Sequence, residues 1–521
     1  MKNFYTRCCT LSRRISYIAT IAVLLAGLII CAPGVAVFPS ATTSLTINSW
    51  IRLAIPVAEA DSLDDIRYLI RNFYPENVSP TIFDVQEIEQ VIKSLNDPYT
   101  EYMSTHDVQE FDDALNQNFS GVGIRIESHK DGAFIIGTLP NSPAREAGLV
   151  AGDIVVMVNK VSIKDWTINE IASIIRGTPG THITLGVQRM ASGIVEQITL
   201  TRANVTAPSV EWEMLPDKTG YINVSTFGDD TIKRFDAAVA DLKKQGAKSL
   251  ILDLRGNSGG YFDGALELAE RFVDGTITYV QSRGGRPIAQ RGKSYPNLQL
   301  KTVLLIDSGS ASSSEILAAA LKDNGFTLIG GRTFGKGVMQ RVFNLSDGDY
   351  LKMTIAEFFS PTMKKIQSVG VTPTMQVLTP MAQEVRAFRH LNPGVVSKLH
   401  LTSGNIHARV NQLPGRSLRL TQEPIWEKSA FYLPARDVLE AIGAKVELSQ
   451  DMNILVAAYQ GRLFSINASQ KTISINGGKS TAQANHIRQV DGICLISADL
   501  LKQIAPQLLL NQDKGDLVIS W

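Results

Sequence analysis

Cysteine is nearly absent from this chain, with 4 in 521 residues. Cys8, Cys9 and Cys31 fall in the first stretch, and Cys494 stands alone in the remainder. A fold stapled by disulfides is therefore excluded, and removal of the amino-terminal segment would leave Cys494 without a partner in its own chain. Histidine is also scarce. The 7 histidines are scattered, with no His-Glu-x-x-His and no Cys/His ligand cluster, so no metal site and no cofactor is expected. Charge of one sign is missing as well: 51 basic residues face 50 acidic ones, which gives no electrostatic reason to expect nucleic acid as a partner.

What is present is unevenly distributed. At 521 residues the chain should hold several domains rather than one core. Lys2, Arg7, Arg13 and Arg14 precede an uncharged apolar run at 15–38, the pattern of an export signal or membrane anchor. The run is long enough to span a bilayer, for which ~20 residues suffice. Ala58-Glu-Ala60 has the form of a signal-cleavage site but lies far beyond the run, and Ile30 is too bulky before Cys31 for a lipoprotein site. The segment is read as an uncleaved anchor, with a cleaved signal as the alternative. Either way the remainder of the chain is placed outside the cytoplasm, at the cell envelope.

The most informative stretch is Gly309-Ser-Ala-Ser-Ser-Ser-Glu-Ile316. Residues 302–306 (TVLLI) read as a buried strand and 314–322 (SEILAAALK) as a helix, so Ser312 sits where one turns into the other. A helix begun there aims free N–H groups and the positive end of its dipole at the serine, which suits a developing oxyanion. A plainer reading is available: Ser312 and Glu315 have the spacing of a capping box. Phe334-Gly-Lys-Gly-Val-Met-Gln340 follows, with Lys336 24 residues after Ser312. Gly330 and Gly335-Lys336 fit a phosphate loop up to Gly337, which replaces the required hydroxyl, so nucleotide binding is excluded. A lysine serves as a base near neutral pH only if burial lowers its pKa. Phe334, Val338 and Met339 are expected to supply that apolar setting. Gln340, an even number of residues on, should return to the same face of a strand and hydrogen-bond the amine.

Taken together these segments resemble the carboxyl-terminal processing peptidases, serine proteases with a Ser–Lys dyad. Leu252-Asp-Leu-Arg-Gly-Asn-Ser-Gly-Gly260 is similar to the family's strand-plus-glycine turn, and Gly370-Val-Thr-Pro373 to the motif that closes its catalytic domain. The similarity runs from about residue 61 to about 374. It implies Ser312 as nucleophile, Lys336 as general base and Gln340 as the residue that orients the lysine. Ser313 stands where the family usually has alanine, at a position that lends its backbone N–H to the oxyanion hole. The second donor is assigned to Gly259 or Gly260, which could equally form a plain tight turn. The resemblance also implies a crotonase-like α/β spiral. Asp323 matches an acidic position of some relatives and is read as a solvated charge at a helix end.

Two flanking regions carry weaker signals. Residues 61–115 have helical spacing and contain Leu95-Asn-Asp-Pro-Tyr99, similar to the turn that precedes the family's peptide-binding module; a plain helical prelude is the alternative. Between 116 and 205, Ser120-Gly-Val-Gly-Ile124 resembles the carboxylate-binding loop of a PDZ domain. Gly121, Val122, Gly123 and Ile124 would capture a substrate's terminal carboxylate with backbone N–H groups. Arg176 is the candidate that couples this module to the active site, or an ordinary turn arginine. A spacer barrel is the structural alternative for the whole region.

Near the end, Tyr432-Leu-Pro-Ala-Arg-Asp-Val-Leu-Glu-Ala-Ile442 recurs loosely as Cys494-Leu-Ile-Ser-Ala-Asp-Leu-Leu-Lys-Gln-Ile504. Such helix-plus-hairpin repeats resemble the amino-terminal-like domain of copper amine oxidases, and without a ligand set no copper is implied. The expected organisation is a multidomain α/β protein: anchor 1–60, helical segment 61–115, PDZ domain 116–205, catalytic core 206–396, linker 397–418 and a small α+β appendage 419–521. The expected function is an exported serine endopeptidase that recognises protein C-termini and cleaves through an acyl-enzyme. A catalytically silent PDZ scaffold is the alternative. A cell-wall or protein ligand is assigned to the appendage and the membrane to the amino terminus, and the sequence leaves room for a homo-oligomer.

Overall fold

The structure is a computed structural model that describes residues 62–521 apart from 191, 293–297, 415, 417, 428, 450–452, 479–480 and 514. The anchor or signal at 1–60 lies outside these residues. Among the described residues no helix is long and apolar enough to cross a membrane.

Short helices Ser62–Phe73 and Ile88–Ser94 open the described chain. They are not a detached prelude. Ile66, Leu69, Ile70 and Val91 are fully buried in one cluster with Phe343, Leu351 and Met353. Strand Glu101–Met103 then pairs antiparallel with Tyr350–Phe359, so the amino-terminal segment joins the edge of a catalytic-core sheet. Helix Thr105–Leu115, started by a Ser104–Asp107 capping box, leads into the next module.

That module is a sheet in the order Ile124–His129, Gly132–Thr138, Ile154–Val158, His182–Gln188, Val195–Thr201, with helix Ile168–Ile175 beside it. Val122, Ile135, Val155, Ile171 and Leu185 form its separate apolar core.

The core domain is built on a six-stranded sheet. Thr219–Val224, Ser249–Asp253, Lys301–Ile306 and Thr327–Gly330 run parallel, with Val210–Leu215 antiparallel at one edge. Strands buried on both faces need near-continuous apolar runs, which is why residues 302–306 lack alternation. Helices Thr231–Lys244, Phe262–Ala269 and Ser313–Asp323 pack with one face of this sheet into a single cluster. A second sheet holds Thr276–Ser282, Tyr350–Phe359 and Val338–Asn344.

The other face corrects the expected domain map. Residues 397–418 are not a linker: Lys398–Thr402, His407–Val410 and Leu418–Arg419 form a sheet with the final hairpin, Leu509–Asp513 and Asp516–Ser520. Leu399, Leu401, Ala408 and Val410 point into the core, an alternation that the polar intervening residues disguise. The carboxyl-terminal part is not a separate appendage either. Its Phe431, Leu439 and Ile496 share one continuous core with helix Pro380–Leu391 and with Ile251, Val303 and Leu305 of the catalytic sheet. Glu440 accepts hydrogen bonds from Leu378 N–H (3.0 Å) and from Thr379 N–H (2.8 Å) and Oγ1 (2.9 Å), capping that helix from outside. The two sequence repeats pair with each other, Leu433 opposite Ile496 and Tyr432 opposite Ser497. The same domain also touches the PDZ-like module, where His407 stacks on Phe134 at 5.1 Å and Arg419 lies 3.3 Å from Glu127.

Candidate active site

Ser312 lies at the turn between strand Lys301–Ile306 and helix Ser313–Asp323, with φ +54° and ψ −115°. A non-glycine residue in that region is strained, and strain of this kind lifts a side chain out of a strand-to-helix elbow. The capping-box arrangement is present: Glu315 accepts from Ser312 N–H at 3.0 Å, and Glu315 N–H faces the Ser312 side chain while making its hydrogen bond to the Ser312 carbonyl at 2.8 Å.

The neighbouring serines do something different. Ser310 Oγ donates to Leu254 O (2.8 Å), Ser314 Oγ to Asn257 O (2.8 Å) and Ser313 Oγ to Gly260 O (2.9 Å). All three fasten the helix start to the glycine turn that follows strand Ser249–Asp253. Ser312 is the member of the run whose hydroxyl is left for the open side.

Of the two glycines named as oxyanion donors, one is committed elsewhere. Gly259 N–H donates to the buried Asn257 Oδ1 at 2.8 Å. Its role is close approach instead, since a Cβ at Gly259 would stand 2.9 Å from Ser312 Cβ and 3.1 Å from Ser313 N. Gly260 N–H has no partner among the described residues. Its peptide is fixed from the far side, because Gly259 O accepts from Phe227 N–H (3.0 Å) and Thr226 Oγ1 (3.3 Å). Gly260 also has φ +142°, and a Cβ there would meet Phe227 O at 2.4 Å, so only glycine fits. Ser313 N–H, at the first position of the helix, is the second free donor.

The sequence reading gave Glu315 only a capping role, yet the structure makes it the centre of the site. The side chain is fully buried and its Oε2 accepts from both Ser312 N–H (3.0 Å) and Lys336 N–H (2.7 Å). Oε1 accepts from Gly335 N–H (2.8 Å) and Thr333 Oγ1. One carboxylate thus holds the serine turn and the lysine loop in register. Burial pushes its pKa up, while the bonds from Thr333, Gly335, Lys336 and Ser312 resist that. The closing motif explains itself here: Val371 N–H donates to Thr333 Oγ1 at 2.6 Å, and a Cβ on Gly370 would meet Thr333 O at 2.5 Å.

Lys336 is partly buried, and burial, followed by the Lys352 charge, lowers its pKa against the opposing pull of Asp97, Glu101 and Glu315. One member of the expected apolar wall does not serve. Phe334 is 60% exposed, and the amine faces the ring of Tyr99, 4.9 Å from its centroid. Gln340 does not reach the amine; its Nε2 points to Thr354 Oγ1 at 3.4 Å. The alternation argument fails because the strand begins only at Val338 and its register shifts between Met339 and Gln340. Thr354 N–H in turn donates to Thr100 Oγ1 (3.2 Å), whose hydroxyl donates to Asp97 (2.6 Å). Beside this network a cavity of about 340 Å³ is lined by Tyr99, Val338, Thr354 and Gln367, among others.

Asp323 is no solvated charge. It is 5% exposed and accepts from Ser360 Oγ (2.6 Å), Thr362 N–H (3.1 Å) and Thr362 Oγ1 (2.6 Å), fastening the loop after Tyr350–Phe359. Among the described residues only His106, Asp107 and Glu110 bring potential metal ligands together; all are exposed, and Asp107 is engaged by Ser104.

In the PDZ-like module, Gly121 ends strand Asn118–Gly121 and Ile124 starts the next. The N–H groups of Val122 and Gly123 have no partner among the described residues. Their carbonyls are held by Ala144 N–H (2.9 Å) and Leu139 N–H (2.8 Å), which fixes the loop. Arg176 follows helix Ile168–Ile175 directly, with its Cα 3.9 Å from where a Gly121 Cβ would lie and its guanidinium 5.8 Å from the Phe119 ring. It belongs to the loop, and no contact joins it to Ser312.

The profile of Peptidase family S41 matches residues 218–377, a PDZ domain profile matches 135–189, and that of the copper amine oxidase N-terminal domain matches 412–507. The chain is 32% identical over 296 residues to the carboxy-terminal processing protease CtpA of Bacillus subtilis, covering 56% of this chain and 63% of that protein. It is 30% identical over 337 residues to CtpB of the same organism, covering 61% of this chain and 68% of the other. Among solved structures, a photosystem II D1 C-terminal processing protease matches with a TM-score of 0.41 at 25% identity, over 61% of this chain and 92% of that one. The chain belongs to the carboxy-terminal processing protease family, within peptidase family S41.

Proposed function

We propose that this chain is an exported serine endopeptidase that captures protein substrates by their C-termini and cleaves them with Ser312 as nucleophile and Lys336 as base. The observation that carries this reading is the division of labour in the serine run. Ser310, Ser313 and Ser314 are all bonded to the glycine turn, whereas Ser312 stands on a strained elbow and its hydroxyl makes no bond to that turn. Glu315 supports the pairing by tying Ser312 and Lys336 to one oxygen.

The chemistry follows from these positions. Neutral Lys336 takes the Ser312 proton as Oγ attacks the scissile carbonyl. The resulting oxyanion faces Gly260 and Ser313 N–H groups, and one such donor is worth about 10²–10³ in rate. Lys336 then passes the proton to the leaving amine, giving an acyl-enzyme. Water then attacks that ester; Lys336 takes its proton and hands it to Ser312 Oγ as the acyl group leaves, so serine and neutral lysine are both restored. The parallel sheet with helices around it supports the crotonase-like spiral as the frame for these steps.

The free N–H groups of Val122 and Gly123 support carboxylate capture, with the side chain of the substrate lying along Ile124–His129 and Ile168–Ile175. Arg176 adds a positive charge beside that loop. Export is inferred from the basic and apolar pattern of residues 1–60 alone. Incubation of the full chain with an unfolded protein bearing an apolar C-terminus should release fragments. Retention of that protein without any cleavage would favour the scaffold reading.

A further inference from the structure

The backbone on either side of Lys336 is pinned. Its own N–H and that of Gly335 go to Glu315, and Gly337 N–H donates to Gln367 Oε1 at 2.8 Å. Only the side chain can move. Its amine lies over the Tyr99 ring, 4.9 Å from the centroid, and makes no hydrogen bond with Ser312 Oγ or any other described residue.

Every charge that faces this amine is already engaged. Asp97 accepts from Tyr99 N–H (3.0 Å) and Thr100 Oγ1 (2.6 Å). Glu101 is paired with Lys352 from the neighbouring strand, and the Lys352 amine itself lies 4.8 Å from the Phe111 ring centroid. Glu315 is filled by its four donors. The face of Tyr99 is the attractive surface left for a positive charge. Its place is rigid, because Pro98 precedes it and strand Glu101–Met103, just beyond, is paired with Tyr350–Phe359.

An aromatic face attracts an ammonium but not a neutral amine. We propose that Tyr99 is a positioning residue that parks Lys336 in its protonated form and releases it towards Ser312 once the proton is lost. This inference rests on the Ser–Lys reading. It makes the amino-terminal segment part of the active site, and it accounts for a lysine that is near the serine turn yet not bonded to it. Each turnover leaves the lysine neutral and engaged; only protonation from solvent returns it to the ring.

The test is the pH dependence of kcat/KM for cleavage of an unfolded polypeptide by the full chain. Tyr99→Phe keeps the ring face and should keep the rising limb where wild type has it. Tyr99→Leu keeps the site apolar but removes the π-face, so the ammonium loses its support and the limb should move down by about one pH unit. A limb that stays put or moves up in Tyr99→Leu overturns the proposal. A second measurement covers a variant that does not fold. In wild type with ¹³C-labelled lysine, the Lys336 ε-methylene signal, assigned by its loss in Lys336→Ala, should be shifted upfield by the ring below the limb and should move downfield above it. An unshifted signal at low pH also overturns it. Lys336→Ala separates the two readings: full activity there would sink the dyad itself, whereas an inactive Lys336→Ala with an unmoved Tyr99→Leu limb would sink only the role of Tyr99.

Discussion

Glu315→Ala should disable the enzyme without touching either reacting group. The carboxylate receives three backbone N–H groups, from Ser312, Gly335 and Lys336, and one hydroxyl, from Thr333. The carboxylate itself is fully buried, while Ser312 and Lys336 are only partly so. An orphaned buried donor costs about 1–3 kcal/mol, but relaxation and entering water soften the sum, so a loss of about 3–5 kcal/mol in stability is expected. The effect on turnover is separate. Without the shared oxygen the serine elbow and lysine loop lose their common anchor, and a misplacement of about 1 Å costs on the order of 10² in rate. Glu315→Gln should be far milder. Its oxygen can still take Ser312 and Lys336 N–H together, its amide can donate to Thr333, and only Gly335 N–H meets a donor, so about a tenfold loss is expected. Denaturant melts give the stability change, and kcat/KM on an unfolded polypeptide, measured where each variant is fully folded, gives the rate. Equal activity of folded Glu315→Ala and wild type, or a Gln variant as impaired as the Ala one, would refute the anchoring argument.

The remaining expectations can be checked with the same protein. Activity should rise with pH through the lowered pKa of Lys336, because only the neutral amine accepts the serine proton, and a chelator should leave it unchanged; zinc-restorable loss with a chelator would contradict this. Amidation of a substrate's C-terminus should raise KM, since a charge-assisted contact to the Val122 and Gly123 N–H groups disappears, while equal cleavage of free and amidated substrates would reduce the module to a spacer. Asp323→Ala should lower stability by about 1–3 kcal/mol, because Ser360 and Thr362 lose their shared acceptor and keep the 3.2 Å bonds to each other, and Lys364 loses its ion pair. Hydrogen bonds hold the Asp323 pKa below the usual carboxylate range despite its burial. That stabilisation is present above the unfolded-state pKa and is lost as pH falls through the lower folded value, so the variant's deficit should shrink in acid.

How much of this could be read from the sequence depended on how local each signal was. The buried strand at 302–306 and the helix after Ser312 follow from composition and period over adjacent residues, and the two repeats near the carboxyl terminus announced a helix each, with the strands Lys445–Leu448 and Leu509–Asp513 after them. The resemblance found the family. What stayed hidden needed contacts between distant segments. Tyr99 reaches Lys336 only because the strand just after it, Glu101–Met103, pairs with the sheet that also carries Val338–Asn344. The choice of Gly260 over Gly259 hangs on the side chain of Asn257. A bulge redirects Gln340, and no spacing rule registers a bulge. Residues 397–418 looked like a linker because a strand on the outside of a domain alternates polar with apolar, and His400, Arg409 and Asn411 masked that pattern.

The central claim is that Ser312 is a nucleophile activated by Lys336. Reaction of the full chain with a fluorophosphonate, followed by digestion and mass spectrometry, tests it most directly. A single phosphonylated serine at position 312 is expected, absent in Ser312→Ala and formed at least 10²-fold more slowly in Lys336→Ala, the scale of general-base catalysis. Labelling at another serine, or an undiminished rate in Lys336→Ala, would contradict the account.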